Sequence, residues 1–296
     1  MKIALRAGIC LAIAAAAVGS VATAAGPANV VTEDAHTVQG GRAVQVLVAQ
    51  SEIKSNINPS NIAVATGGGL LGGALAASQN ASRTKKAEAL IEPVREALTD
   101  FDADRLAQNT TAAALAQVPW LQSAPISFSK DSSPVGKSSA LDSIGAGQVA
   151  FVEYSYDFSP DFADLRVVAK VDFADRAMPA AATKPEARVS RKNLAYSQQV
   201  TTIVSLSTGV DEKAANAAQW AADGGKRARQ ALAMAFAQQE KLLPRVLALT
   251  AEEVAAIGAK TKPKGTVGGF SGRLQDSPTG ETLLWGPGFI WHSTLP

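Results

Sequence analysis

Two neighbouring stretches of alternating residues constrain the fold of this 296-residue chain more than any other feature. In residues 164–173, DLRVVAKVDF, apolar side chains alternate with Arg166, Lys170 and Asp172. Residues 148–158 follow the same period, and the turn sequence SPD separates the two stretches. A period of two is typical of β-strands, and so short a connection joins antiparallel strands. The sequence therefore predicts an antiparallel hairpin with one solvated face.

Helical spacing occurs on both sides of this hairpin. The predicted helices are 82–101, 103–118, 211–243 and a short one that begins at the capping box TAEE, 250–253. Pro93 is expected to kink or restart the first helix, because proline lacks a backbone donor and clashes with the preceding turn. The pair Gly224 and Gly225 is expected to break or bend the third helix.

The remaining strands complete the predicted architecture. They lie at 43–50, 125–130, 194–208, 266–275 and 281–292, with a Ser/Gly-rich loop before residue 148 and an exposed connection over 175–193. Runs of strands and runs of helices indicate an α+β fold. We predict one α+β domain over 43–296, with a largely antiparallel sheet, helices packed mainly on one face, and a flexible lead-in over 25–42.

The first 24 residues have the layout of a cleaved signal peptide. Lys2 and Arg6 precede an apolar run over 7–18, and small residues follow with Ala22 and Ala24 in an A-x-A arrangement. The apolar run is shorter than the ~20 residues of a spanning helix, so an uncleaved anchor is the weaker alternative. The pattern predicts a periplasmic or secreted protein.

Charge and cysteine content narrow the function classes further. The chain has 28 Lys and Arg against 26 Asp and Glu, and removal of the signal peptide takes Lys2 and Arg6 and leaves 26 of each. A balanced charge argues against nucleic acid as a partner. The single cysteine, Cys10, lies inside the signal peptide, so the mature chain has no disulfide, thiolate ligand or cysteine nucleophile.

A glycine-rich apolar segment, 57–78, contains TGGGLLGGAL at 66–75. Gly67, Gly69 and Gly72 match G-x-G-x-x-G, but the second strand and acidic residue of a dinucleotide site do not follow. Close packing is the favoured interpretation, because Gly68/Gly72 and Gly69/Gly73 form G-x-x-x-G pairs on a helix. The predicted packing or membrane-contact residues are Gly68, Gly69, Leu70, Leu71, Gly72, Gly73 and Leu75.

Membrane contact through the same segment is the main alternative to packing within the chain. No charged residue occurs from 55 to 82. The densest apolar part, 62–77, would span ~24 Å as a helix, which is less than the ~30 Å of a bilayer core. Insertion of one such segment is therefore marginal. The partners expected from this segment are a membrane, another envelope protein or a second copy of the chain.

Other candidate sites are weaker. Asp100, Asp102 and Asp104 resemble the start of a calcium loop, but Arg105 and Thr111 occupy the positions of its glycine and glutamate. An acidic helix start explains them better. His36 and His292 are the only histidines, and no nucleophile elbow or paired-histidine metal motif is present. We predict no catalytic, cofactor or metal site.

These observations favour an exported envelope protein that acts as a binding, scaffold or accessory module without catalytic activity. Two alternatives stay open. One is a periplasmic hydrolase that uses carboxylates on the sheet, with Glu153, Asp157 and Asp172 as candidates. The other is a soluble carrier of an apolar ligand, which would have one large apolar pocket between the sheet and the helices.

Overall fold

The computed structural model describes residues 28–56, 70–176 and 185–296. The strands are β1 (Arg42–Leu47), β2 (Lys54–Ser55), β3 (Ile126–Ser129), β4 (Gln148–Phe158), β5 (Asp164–Asp175), β6 (Tyr196–Ser205), β7 (Lys264–Val267), β8 (Phe270–Gln275), β9 (Glu281–Trp285) and β10 (Gly288–Thr294). The α-helices are α1 (Leu70–Ala97), α2 (Ala103–Leu115), α3 (Pro134–Ser143), α4 (Lys213–Leu247) and α5 (Ala251–Ile257). The fold is therefore α+β.

All ten strands belong to one sheet, whose order is β3-β1-β4-β5-β6-β10-β9-β8-β7, with β2 also paired to β4. β1 runs parallel to β3 and β4, β2 runs parallel to β4, and β10 runs parallel to β6. The sheet is mixed, so the prediction of a largely antiparallel sheet is wrong. The parallel pairs join strands that are distant in the sequence, and no local pattern specifies such partners.

The predicted hairpin is confirmed and forms the centre of the sheet. β4 and β5 pair antiparallel from Gln148 opposite Asp175 to Phe158 opposite Leu165. On one face their apolar side chains are buried and continue the core formed by β1 and β6. Helices α1, α2 and α4 cover this face, with Ile91, Leu115 and Phe236 among the residues that pack in the same cluster.

The other face of the hairpin is more covered than the sequence indicates. α3 packs Leu141 against Phe151 and Val149 in a smaller apolar cluster, and the β7–β8 hairpin contributes to another cluster that contains Ile203. Asp172 is only 4 % exposed. The prediction of a solvated face is therefore wrong for this part of β5. The helix α3 lies in a segment that was predicted to be a loop, and β7–β8 comes from a segment remote from the hairpin.

Several local predictions are confirmed, and others miss an element. The capping box of Thr250 and Glu253 is present at the start of α5. α4 departs from helical geometry at residues 222–225, where Asp223 and both glycines have positive φ. α1 continues through Pro93. α3 lies in the predicted loop, although Ser133 caps it and Pro134 occupies its first turn, both of which favour a helix start.

Residues before β1 contact the domain over the part that the structure describes. The backbone of Ala28 exchanges hydrogen bonds with Ala195 and Ser197 next to β6. A short 3-10 helix, Glu33–His36, follows, and the His36 ring stacks on Trp120 at 4.8 Å. The predicted lead-in is thus attached to the sheet from residue 28. The predicted signal peptide, 1–24, lies outside the described residues and stays a prediction.

Candidate functional site

The predicted packing residues lie at the start of α1 or just before it. Gly68 and Gly69 are outside the described residues, and the other members fall in the first turns of the helix: Leu70, Leu71, Gly72, Gly73 and Leu75. Their role as a packing or membrane-contact stripe stays a prediction. In the described part of the chain, none of the helices combines the length and the apolar character that a bilayer crossing requires.

The three candidate carboxylates of the hydrolase alternative have different surroundings. Glu153 pairs with Lys137 of α3 at 2.6 Å. Asp172 accepts hydrogen bonds from Lys170 at 2.6 Å and from Ser197 at 2.7 Å. Asp157 lies four residues from Glu153 along β4, about 13 Å away. Two of the acids are therefore neutralised by lysines, and the third is remote from both.

A serine, a histidine and an aspartate also meet on this face of the sheet. Ser205 Oγ donates to Asp164 Oδ1 at 2.6 Å and lies 2.8 Å from Nε2 of His292. Burial lowers the pKa of His292, and Asp164 offsets part of that effect. The hydroxyl lies between the acid and the imidazole, whereas a nucleophilic triad needs the imidazole between the other two. This cluster holds β5, β6 and β10 together.

The residues that resemble a calcium loop start a helix. Asp102 accepts the Arg105 amide at 2.9 Å and so caps α2. Asp104 pairs with Lys130, and Asp100 with Arg229. Within residues 28–56, 70–176 and 185–296, no group of three or more His, Cys, Asp or Glu is placed to hold a metal ion.

A groove lies at the β4–β5 turn, and we name it the end groove. It consists of two pockets that meet at Asn56, Pro160 and Lys213, three residues that line both. One pocket is on the helix side of the sheet and the other on the opposite side. The groove therefore passes around the end of the sheet, next to Asn56, the last described residue after β2.

The helix-side pocket has a volume of about 460 Å³. Ala87 and Leu90 of α1 and Phe162 of the turn form an apolar wall, and the other lining residues are Ser55, Asn56, Arg83, Lys86, Pro160 and Lys213. All charged residues of this pocket are thus cationic. Its volume is within the ~300–1,000 Å³ of pockets that hold small molecules.

The second pocket, of about 550 Å³, has mixed charge. Arg166 lies between the sheet and the β7–β8 turn, where it donates to the Gly268 carbonyl at 2.9 Å and lies over the Phe270 ring at 5.4 Å. Its side chain is 11 % exposed, and the nearest oxygen of Asp164 is 3.9 Å away. Asp161 also lines this pocket.

The turn between the pockets is held in an unusual conformation. Phe162 has a backbone φ angle of +58°, which residues other than glycine rarely adopt. Its ring packs against Phe158, and its carbonyl accepts a 2.7 Å hydrogen bond from Trp220 Nε1. Such a conformation costs about 1–3 kcal/mol and persists where the surroundings hold it. Burial of Phe162 and the bond from Trp220 provide that support.

Hydrogen bonds also stabilise the ionised form of the Asp161 carboxyl group in this turn. Ser159 Oγ donates to Asp161 at 2.5 Å, and the Ala163 amide donates to the same carboxylate at 3.2 Å. Partial burial would raise the pKa of Asp161, but these hydrogen bonds outweigh it and lower the pKa below its ordinary value. Asp161 is therefore ionised at neutral pH.

Three buried polar atoms beside the groove lack a hydrogen-bond partner among the described residues. They are Ser55 Oγ, Asp157 Oδ1 and Arg166 Nε. Asp157 and Arg166 are directly opposite each other in the β4–β5 register. Burial raises the pKa of Asp157 to about 6, and the Arg166 charge offsets part of that rise. Most buried polar atoms in native proteins are hydrogen-bonded, so these three mark a place where further polar contacts can form. Five other buried polar atoms of the described residues, Arg42 Nη1 among them, also lack a partner.

Sequence reasoning missed the end groove. Its lining residues come from five segments: the end of β2, α1, the β4–β5 turn with the start of β5, the start of α4 and the β7–β8 turn. Only the fold brings these segments together. One local signal was available: Arg166 and Asp157 follow the alternation that places them on the same face of the hairpin. Comparison of the chain with protein-family models, with curated proteins and with solved structures finds no match.

Proposed function

We propose that this chain is an exported, non-enzymatic binding protein of the cell envelope that holds an anionic amphiphile in the end groove. The observation that carries the proposal is the helix-side pocket, in which an apolar wall lies beside cations and none of the described lining residues is acidic. A ligand with a negative head and an apolar body matches both parts. Export is supported by the predicted signal peptide.

The position of the head group follows from the charges. Lys213 lines both pockets and is exposed at the start of α4, so a head group near it is within the cationic part of the groove. Asp161 and Asp164 repel an anion from the far pocket. Arg166 lines the far pocket, and its positive charge partly offsets these two acids.

The apolar body of the ligand is placed in the helix-side pocket. Ala87 and Leu90 are half-buried and Phe162 is buried, so a chain that enters here covers apolar surface. Each buried CH₂ group contributes about 0.8 kcal/mol. The alkyl stems of Lys86 and Lys213 can extend along the ligand while their ammonium groups stay in water.

Binding of decanesulfonate, which is anionic at every working pH, tests the proposal by isothermal titration calorimetry at pH 7. The chain should bind decanesulfonate at least tenfold more tightly than decyltrimethylammonium, which has the same chain length and the opposite charge. Lys213→Glu should reduce the decanesulfonate affinity at least fivefold, because it replaces the shared cation by an anion.

Lys241→Glu is the matched control, because Lys241 is also exposed on α4 and lies outside the groove. It should leave the affinity unchanged. Equal affinity for the two amphiphiles, or equal loss in the two variants, would contradict the proposal. Leu90→Glu gives a further test, since it places a negative charge on the apolar wall and should abolish binding.

The start of α1 remains a proposed contact with a membrane or with another protein. The predicted G-x-x-x-G pairs support close approach of a second backbone. Gly72→Leu tests the described half of the stripe. Unchanged stability, oligomeric state and membrane fractionation would contradict a packing role for it.

A further inference from the structure

The outer face of α1 has a stripe of exposed residues that is positively charged at one end and negatively charged at the other. Lys85, Ala89, Glu92 and Glu96 are all exposed. They follow one another at intervals of three or four, so they lie on one side of the helix. Lys85 is at one end of the stripe, the small residue Ala89 is in the middle, and the two acids are at the other end.

In a single copy of the chain, the acidic end of the stripe, formed by Glu92 and Glu96, is electrostatically unfavourable. Glu96 lies four residues after Glu92, and like charges at this spacing destabilise a helix by about 0.2–0.5 kcal/mol. Acidic residues near the carboxyl end of a helix also oppose its dipole. α1 ends at Ala97, so Glu96 is in its last turn. A cation from outside would relieve both effects.

Lys85 has no acidic partner within the described structure. The acid one turn after it, Glu88, is bound to Arg95 at 2.5 Å. Arg95 also pairs with Glu52 at 2.9 Å and, more loosely, with Glu92 at 3.4 Å. The positive and negative ends of the stripe are therefore separate within one chain.

We propose that two copies of the chain dock antiparallel through this face of α1, with Ala89 at the two-fold axis. Lys85 is about 6 Å from the level of Ala89 along the helix axis, and Glu92 and Glu96 are about 4.5 and 10.5 Å from it on the other side. A two-fold axis at Ala89 brings Lys85 of each copy to a level between Glu92 and Glu96 of the other.

The pairing is self-complementary, as a two-fold interface must be. Each copy gives one lysine and receives one, so both acidic ends are neutralised. The small side chain of Ala89 lets the helix axes approach closely at the centre. Because exposed ion pairs contribute only about 0–1 kcal/mol each, the dimer is weak and is weakened further by salt.

Charge exchange between two variants tests this arrangement by sedimentation equilibrium of the purified chain at low ionic strength. Lys85→Glu makes the stripe wholly negative, and Glu92→Lys with Glu96→Lys makes it wholly positive. Each variant alone should self-associate at least tenfold more weakly than the wild type. An equimolar mixture of the two should associate at least as tightly as the wild type.

Lys260→Glu is the charge-matched control, because Lys260 is exposed and lies outside α1. It should leave self-association unchanged, and 0.5 M salt should weaken the wild-type dimer. A wild-type chain that stays monomeric at low salt, or a mixture that associates no better than its components, would overturn the proposal. All the altered residues are outside the lining of the helix-side pocket, so decanesulfonate binding reports separately on the end groove.

Discussion

A largely buried arginine lies at each end of the central hairpin, Arg42 of the neighbouring strand β1 at one end and Arg166 of β5 at the other, but the surroundings of the two differ. At the start of β4, Arg42 is 9 % exposed and lies between the rings of Trp120 and Phe173, at 4.6 and 5.0 Å. Its Nε donates to Gln148 at 2.5 Å. At the other end, Arg166 has one ring beside it and donates to the Gly268 carbonyl. One nitrogen of each guanidinium, Nη1 of Arg42 and Nε of Arg166, lacks a partner among the described residues.

The aspartates at the two ends differ in the same way. Asp175 accepts the Gln148 amide at 2.6 Å, so a chain of hydrogen bonds joins Asp175, Gln148 and Arg42. Burial lowers the pKa of Arg42 to about 10, and Asp175 offsets part of that fall. Asp157 has no such link. The hydrogen-bonded chain at the first end stabilises the fold, and we propose that the second end, which borders the end groove, is where a ligand makes its polar contacts.

Removal of the ring beside Arg42 should have the largest effect on stability. Phe173 is buried between Trp120 and Tyr196, with ring centroids 5.9 and 4.9 Å away. Phe173→Ala should lower the free energy of unfolding by about 3–5 kcal/mol, measured by urea denaturation. Phe270→Ala, which removes the ring beside Arg166, should lower it by less than about 1.5 kcal/mol. Similar losses of unfolding free energy in the two variants would contradict the conclusion that the Arg42 end stabilises the fold more than the Arg166 end.

Asp157→Asn should remove a pH-dependent loss of stability. Because the carboxyl pKa is raised from 3.8 to about 6 in the folded state, the folded chain holds this proton more tightly than the unfolded chain. The protonated Asp157 carboxyl therefore contributes stability that is present below pH 4 and is lost as the pH rises to about 6. At pH 8 the variant should therefore be more stable than the wild type by up to about 3 kcal/mol.

The difference between wild type and variant is the quantity to follow, since other carboxyl groups titrate over the same range. Urea denaturation at pH 4 should give nearly equal stabilities, and the advantage of Asp157→Asn should grow between pH 4 and 7. Asp175→Asn is the matched change at the other end and should destabilise the chain at pH 7. A stability difference for Asp157→Asn that is independent of pH would refute the assignment.

The β7–β8 turn offers a paired test of how closely its backbone packs against Ile203 of β6. Gly268 and Gly269 both have positive φ, at 53° and 81°. A Cβ on Gly268 would lie 2.8 Å from Ile203 Cδ1, whereas one on Gly269 would meet nothing within 4 Å. Gly268→Ala should thus cost about 1–2 kcal/mol more than Gly269→Ala. Equal losses of unfolding free energy would show that the turn is not packed as described.

The smallest effect is expected on binding. An ionised Asp157 offsets the charge of Arg166, so Asp157→Asn should strengthen decanesulfonate binding at pH 8 by about two- to threefold, or about 0.5 kcal/mol. At pH 5, where the wild-type carboxyl is mostly protonated, the two proteins should bind alike. Calorimetry at the two pH values measures both. A variant that binds more weakly at pH 8 would show that Asp157 itself contacts the ligand.

Local patterns in the sequence predicted the hairpin, the capping box of Thr250 and the break near Gly224, because each depends on residues close together in the chain. The parallel partners of β1 and β10 depend on contacts between distant segments, which period and propensity do not encode. Two tight turns, at Gly268 and Gly286, were also missed, so the predicted strands 266–275 and 281–292 are each two strands.

The candidate site was less predictable than the fold. Its residues are ordinary in sequence: Lys213 starts a helix, Asn56 follows a two-residue strand and Leu90 belongs to an amphipathic stripe. Their significance arises only when five segments meet. The glycine-rich segment attracted attention because of its composition, and its first part lies outside the described residues. Composition therefore directed the prediction to residues that are not among those described as lining the groove.

The ¹⁵N-resolved NMR signals of the two arginine Nε–H groups test the central claim most directly, because both are observed in one sample. Titration with decanesulfonate should shift the Arg166 signal in a saturable manner, with the affinity measured by calorimetry, while the Arg42 signal stays unchanged. Decyltrimethylammonium should move neither. An unmoved Arg166 signal at saturation, or equal shifts of both arginines, would contradict the account of one end built for stability and one for binding.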